Sequence, residues 1–561
     1  MNEFGTGTPA EDDASVRSEV SGANDASDAD AVAIASEALS LGGSDGTQDY
    51  PEIALDSDDT GLGGRLDQWI QRATHWFNPI LIKEARQSLK SRQFLVTYFC
   101  LLVASCAWTV LGVVFNAPEI YFIPHGEELL GGYYLILAVS TLAFVPLVAF
   151  RSLAAELDEG TYEMLAITRL TAWRIVAGKM NSAILQVLIY LSAIVPCLAF
   201  CYLLRGISLP AIVLTVIFVL TASVLLASFA LMLSTVAMGR SSQTFLLVGL
   251  VAVIVFCLFV CSGFVFNVVF SDDLGGEWLV LVLALVMAAS FVVLFLAAAA
   301  ARIAPITENR STRMRAIMFV QQVIWVTLFS YLSWSSGETE YLNVGMIFMV
   351  LYWLLIGVLI CGESWELSPR VRRDLPKSYS ARMLLTWWMP GPGTGFMFVI
   401  STALAGFILL ALFATCQQVA GPEGVSNNRT WPGLFAFLSV GYLAGYLGLV
   451  RLVSLPFQKR WGSSFIPPLI ACILFVFLGT AGPAMVDVLV RGRVGSGASP
   501  LHASNFIWMW GESFNRGGIG GEIVLLVFAV GMLILLINAG LLVREFRMRR
   551  SETPHRVSEA G

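Results

Sequence analysis

The sequence predicts an all-α polytopic membrane protein with about twelve transmembrane helices, on three observations. First, 57% of the 561 residues are hydrophobic and only 13% are charged, where an average soluble domain carries about 25% charged residues. A mean hydropathy of +0.74 points the same way. Second, apolar runs long enough to cross about 30 Å of hydrocarbon recur along the chain. Third, the basic residues that flank these runs fall on one side if both termini are cytoplasmic.

The runs lie at roughly 94–115, 130–150, 181–204, 210–238, 244–270 and 277–301, and then at 316–334, 342–361, 395–416, 432–455, 465–490 and 521–543. Lys83, Arg86, Lys90 and Arg92 precede the first span, and Arg169, Arg174 and Lys179 the third. Arg310, Arg313 and Arg315 precede the seventh, Arg370, Arg372, Arg373, Lys377 and Arg382 the ninth, and Lys459 and Arg460 the eleventh. Arg544, Arg547, Arg549 and Arg550 follow the last. The opposite connections hold Glu119, Glu127, Glu128, Asp272, Asp273, Glu338 and Glu340. This asymmetry places a multi-pass protein in the cell (inner or cytoplasmic) membrane with both termini cytoplasmic.

Residues 1–60 are rich in Ser, Gly, Ala, Asp and Glu, carry Arg17 as their only basic residue, and read as a disordered acidic cytoplasmic tail. They lack a basic region followed by an apolar one, so no cleavable signal peptide is expected. From 61 to 93 Leu66, Trp69, Ile70, Trp76 and Phe77 alternate with polar residues before Asn78 and Pro79. Asn as a cap and Pro at the first helical position start a helix, because Pro's missing N–H is not needed there. With Lys83, Glu84 and Arg86 it reads as an interfacial elbow helix that leads into the first span. Residues 547–561 form a second cytoplasmic tail.

The spans hold almost no Asp, Glu, Lys, Arg or His away from their ends, which weighs against a proton- or sodium-driven carrier. Asp487 and Arg491 are one helical turn apart and suit a local ion pair. Cys197 with Cys201 and Cys257 with Cys261 share helix faces and would offer four thiolates to a soft metal if the third and fifth spans met. Cys is also a common small buried residue and the chain has only four His, so ordinary packing is the preferred reading and we assign no metal site. Gly441 and Gly445 have the spacing for close helix approach, and Pro146, Pro196 and Pro467-Pro468 are candidate kinks. No G-x-x-x-x-G-K-[ST] phosphate loop occurs; Gly391-Pro392-Gly393-Thr394-Gly395 lacks its Lys and reads as a flexible lead-in to the ninth span. The longest extracytoplasmic stretch, roughly 491–520, carries His502, Trp508, Trp510 and Glu512 but no catalytic constellation.

The residues most suited to work outside the lipid are 151–180, a charged insertion between two apolar runs. Leu153, Leu157, Gly160, Met164 and Leu165 recur along one side of a helix, while Glu156, Asp158, Glu159 and Glu163 fall mostly on the others. An acidic segment has little reason to seek an anionic bilayer, so a protein surface is the expected partner. Gly160-Thr161 marks a break. The pattern Glu156, Asp158-Glu159-Gly160-Thr161-x-Glu163-x-Leu165, then Thr168-x-Leu170, Trp173, Ile175 and Gly178-Lys179, resembles the membrane subunits of type-2 (exporter-type) ABC transporters. Members of that family often have Pro where this chain has Arg169.

The resemblance implies a six-helix exporter-type permease core, 94–303, plus six further helices, 304–546. It makes 151–180 an ATPase-coupling loop with Glu156, Asp158, Glu159, Gly160, Thr161, Glu163, Gly178 and Lys179 as its residues. It also implies a separate ABC ATPase subunit that binds ATP and Mg, so this permease subunit needs no cofactor and catalyses nothing itself. The expected partners are that ATPase, the lipid bilayer and a second copy of the chain in a homodimer, with no nucleic acid. The second half repeats the layout of the first, with a charged loop at 362–393, but without the Gly-Thr pattern, so a fused pseudo-dimer stays open. So does a different function, a non-transporting membrane scaffold that anchors a cytoplasmic partner through the same loop.

Overall fold

A computed structural model describes residues 87–117, 122–159, 171–236, 240–266, 278–305, 309–363, 386–420, 432–461, 466–492, 499–514 and 519–548, with a few more between 371 and 381. The acidic tail, the elbow residues Asn78, Pro79, Lys83, Glu84 and Arg86, and Gly160, Thr161 and Glu163 lie outside the described residues. So does most of the second-half charged loop.

The chain is an all-α polytopic membrane protein. Its long helices are α1 (Arg92–Phe115), α2 (Gly126–Asp158), α3 (Ala172–Leu203), α4 (Leu209–Ser234), α5 (Arg240–Phe264) and α6 (Trp278–Ile303). Then come α7 (Ser311–Ser336), α8 (Glu340–Cys361), α9 (Pro392–Ala420), α10 (Pro432–Trp461), α11 (Ile466–Arg491), a short α12 (Phe506–Phe514) and α13 (Gly521–Met548). Among the described residues twelve of these are long and apolar enough to cross a membrane. Each corresponds to one predicted span; α3 begins at Ala172, well before residue 181, with Ile175 and Val176 already buried, and α5 ends at Phe264, short of the expected 270.

Helix starts follow local chemistry. Ser91 caps α1 by accepting from the Phe94 N–H, and Ser208 caps α4 by accepting from Ala211 N–H, with Pro in the first turn of α4. Pro467 and Pro468 fall in the first turn of α11, where a missing N–H costs nothing, so the expected kink has no cause there. Pro146 acts differently. It denies the Leu142 carbonyl its usual donor, and α2 widens into a π-helical stretch at Val139–Phe144 just before it. The Thr141 carbonyl in that stretch accepts from Ser223 Oγ of α4 at 2.9 Å, so a neighbouring helix satisfies backbone that the irregularity exposes.

Two cores result. The first joins α1 to α6 through Leu129, Tyr133, Tyr134, Leu153 and small residues of α4 such as Ala227 and Ala230. The second joins α7 to α13 around Trp325, Trp353, Phe396, Phe407 and Phe435. The two meet where α6 packs on α7, with Phe291 5.8 Å from the Trp325 ring. Outward positions are apolar as well, for example Phe259, Leu489 and Phe115, because lipid and not water surrounds the helices. Association therefore rests on packing and hydrogen bonds. Gly441, Gly445 and Gly531 show this: a Cβ on Gly531 would come within 2.4 Å of the Gly441 carbonyl, so α10 and α13 touch backbone to backbone, as the Gly441-x-x-x-Gly445 spacing predicts.

Candidate functional site

The charged residues gather at one end of the bundle, the end where α2 finishes and α3 begins. There α2 stops at Asp158, whose successor Glu159 closes the last turn on the Ala155 carbonyl. Leu153 is buried, Leu157 and Glu156 are half-buried, and Asp158 and Glu159 are exposed. Gly178 and Lys179 are buried in the first turns of α3. Lys179 reaches back to α2, its Nζ donating to Ser152 Oγ and Glu156 Oε1, both at 2.8 Å. A buried ammonium needs such a partner, since leaving it alone in a low-dielectric site costs several kcal/mol. Glu156 therefore differs from its acidic neighbours: it neutralises Lys179, while Asp158 accepts from Gln243 Nε2 of α5 at 2.6 Å on the surface. Of the eight predicted coupling residues, the structure brings Glu156 and Lys179 into direct contact and holds Asp158, Glu159 and Gly178 nearby.

The second half builds a denser cluster at the corresponding end. Arg315, counted above as a flanking charge, is instead almost wholly buried. Its guanidinium pairs with Glu363 at 2.7 Å and donates to the carbonyls of Trp387 and Met389. Glu363 also accepts from Ser311 Oγ and from the Gly391 N–H, each at 2.6 Å. Nearby, Arg451 of α10 pairs with Glu545 of α13 at 2.5 Å, donates to Asn538, and stacks over the Phe396 ring. Gly391 to Gly395 run between the two pairs. A Cβ on Gly393 would meet Glu545 Oε2 at 2.0 Å, and one on Gly395 would meet Ile360 at 2.0 Å and Arg315 Nη2 at 3.0 Å. Gly391 has φ 139°, a conformation that favours glycine. Gly393 and Gly395 thus lie in the closely packed first turn of α9, which begins at Pro392, and this ordered helix start corrects the flexible lead-in expected from sequence.

Sequence reasoning missed Arg451 and Glu545 and held the spans nearly free of charge. The available signal was one opposite charge near the same end of the tenth and twelfth spans. Asp487 is another correction of emphasis: it is buried and faces His502, with Oδ2 3.9 Å from Nε2. The Arg491 side chain lies outside the described residues. Cys197 and Cys201 have Cys106 of α1 and Tyr133 of α2 as neighbours, and Cys261 neighbours Tyr134. Among the described residues no three His, Cys, Asp or Glu side chains gather as a metal site would require.

Compared with known proteins, the chain matches no protein-family model and no curated protein.

Proposed function

We propose that this chain is the membrane-spanning permease subunit of an ATP-driven, ABC-type exporter, working with a separate ATPase that binds ATP and Mg. The observation that supports this most directly is the Lys179 bridge. One buried amine joins Ser152 and Glu156 at the end of α2 to the start of α3, so a force on the acidic segment between them acts on two spans together. A lever of this kind suits a subunit moved by an external motor. The exposed charges Asp158 and Glu159, together with Glu163 of the same acidic pattern, contact the ATPase, and Glu156 serves the lever. Two copies of the chain pair to complete the pathway, with residues 65–303 at the functional core.

The test is to purify the chain in detergent, identify the co-purifying ATPase, and reconstitute both with a triple Asp158→Asn, Glu159→Gln, Glu163→Gln variant. Stimulated ATP hydrolysis is expected to fall to the rate of the ATPase alone while the permease folds normally. Full stimulation in the variant would overturn the coupling role. A bound partner whose ATP hydrolysis never responds to the permease or its ligands would favour the scaffold.

A further inference from the structure

Between α11 and α13 the chain turns back into the bundle. Residues Pro500–Ser504 form a 3-10 turn, and α12 begins just after Asn505. Four side-chain to backbone hydrogen bonds set the depth of this segment. The Tyr442 hydroxyl donates to the Ala503 carbonyl at 2.9 Å and the Tyr446 hydroxyl to the Ser504 carbonyl at 2.6 Å. Asn505 Nδ2 donates to the Thr480 carbonyl at 3.0 Å and Ser504 Oγ to the Gly479 carbonyl at 3.2 Å. Gly479 and Thr480 stand at the middle of α11, and Tyr446 at the middle of α10. At 1.5 Å per residue the turn is about 18 Å from either end of α11.

Asn505 caps α12 by accepting from the Trp508 N–H at 3.0 Å. The helix then returns toward the end it came from, where Phe514 meets Phe435 near the start of α10 at 6.3 Å. His502 fastens the descending arm. It is buried, with Nδ1 2.9 Å from Ser499 Oγ, Nε2 facing Asp487, and its ring stacked on Trp508 at 5.1 Å. Residues 499–514 are therefore a re-entrant hairpin, where the sequence reading has a surface connection.

Among the described residues, none covers the tip of this hairpin. Ser504 is exposed, as are its bond to Gly479 and the Tyr446 bond to its carbonyl. Hydrocarbon does not tolerate irregular backbone beside it; at membrane depth such backbone occurs where protein buries it or where it lines a water-filled cavity. We propose that the Ser504 turn lines an aqueous recess that opens at the end of the bundle opposite Lys179, reaches the middle of the membrane, and takes water and small hydrophilic solutes. This recess does not depend on what binds the 151–180 segment, and it gives the second half a polar binding position of its own.

The test compares Ser504→Cys with Phe477→Cys, an exposed position on α11 at the same depth. The protein is reconstituted in liposomes with a charged methanethiosulfonate reagent on both sides, and the labelled residue is located by peptide mass spectrometry. Because only the thiolate reacts and it forms only in water, Ser504→Cys should label at least about tenfold faster than Phe477→Cys. Equal, slow rates would overturn the proposal by placing the turn against lipid. A disulfide between copies at Ser504→Cys would overturn it by showing that a second chain covers the turn. Hydroxyl-radical footprinting of the unaltered protein gives an independent reading should the cysteine variant misfold: Tyr446 oxidised and Phe477 spared supports the recess, and both spared refutes it.

Discussion

The first six long helices and the last six have similar hydropathy but bury different things at the same end of the bundle. Among the described residues, the first half buries one charged side chain, Lys179, and lets its partner Glu156 stay partly in contact with the surroundings. The second half buries Arg315, Arg451 and Glu545 and knits them to backbone carbonyls, Asn538 and a turn of glycines. A charge in an apolar helix is stable when a partner arrives from a helix distant in sequence, as with Arg451 and Glu545. The half with the acidic Gly-Thr pattern thus has the simpler, more open junction, while the half without it is locked.

Breaking the lock should have the largest effect. Arg451→Met leaves Glu545 buried without its cation and is expected to cost about 3–5 kcal/mol, read as a drop in Tm of the detergent-solubilised protein. The Arg451→Met, Glu545→Leu double variant should recover most of that loss, because it removes both charges. A single variant as stable as wild type would erase the contrast between the halves.

Next in size is the glycine contact. Gly531→Ala places a methyl against the Gly441 backbone, which cannot move aside as a side chain would, and should cost about 1–3 kcal/mol. The same measurement on Gly482→Ala, which meets nothing within 4 Å, serves as the control and should show no such loss.

The first-half junction should respond more weakly and asymmetrically. Glu156→Gln leaves the Lys179 ammonium buried with weaker acceptors and should cost about 1–3 kcal/mol. Lys179→Met should cost less, since Glu156 keeps access to solvent. Equal losses in thermal unfolding would mean that Glu156 is as enclosed as the second-half charges. The smallest effect belongs to Gln243→Ala, which removes an exposed bond to Asp158 and should change stability by no more than about 0.5 kcal/mol.

All twelve spans were legible in the sequence, because crossing hydrocarbon demands long apolar runs whatever the helices later touch. The close approach of α10 at Gly441 was legible for a similar reason: small residues at a four-residue spacing leave one face able to meet another backbone. The helix α2 ends at Asp158, and the break expected at Gly160-Thr161 lies outside the described residues.

What the sequence by itself determined about this protein is therefore its class, its helices and the position of its charged insertion, all properties of local composition and period. Only the tertiary structure decided that Glu156 serves Lys179 and is no free surface charge, that Arg315 is interior, and that Gly393 and Gly395 pack closely in the first turn of α9. It alone turned the 499–514 connection into a hairpin at mid-depth. The physical reason is the same each time: the partner that makes a buried charge, a close-packed glycine or an irregular backbone tolerable comes from a distant part of the chain, and no local pattern announces it.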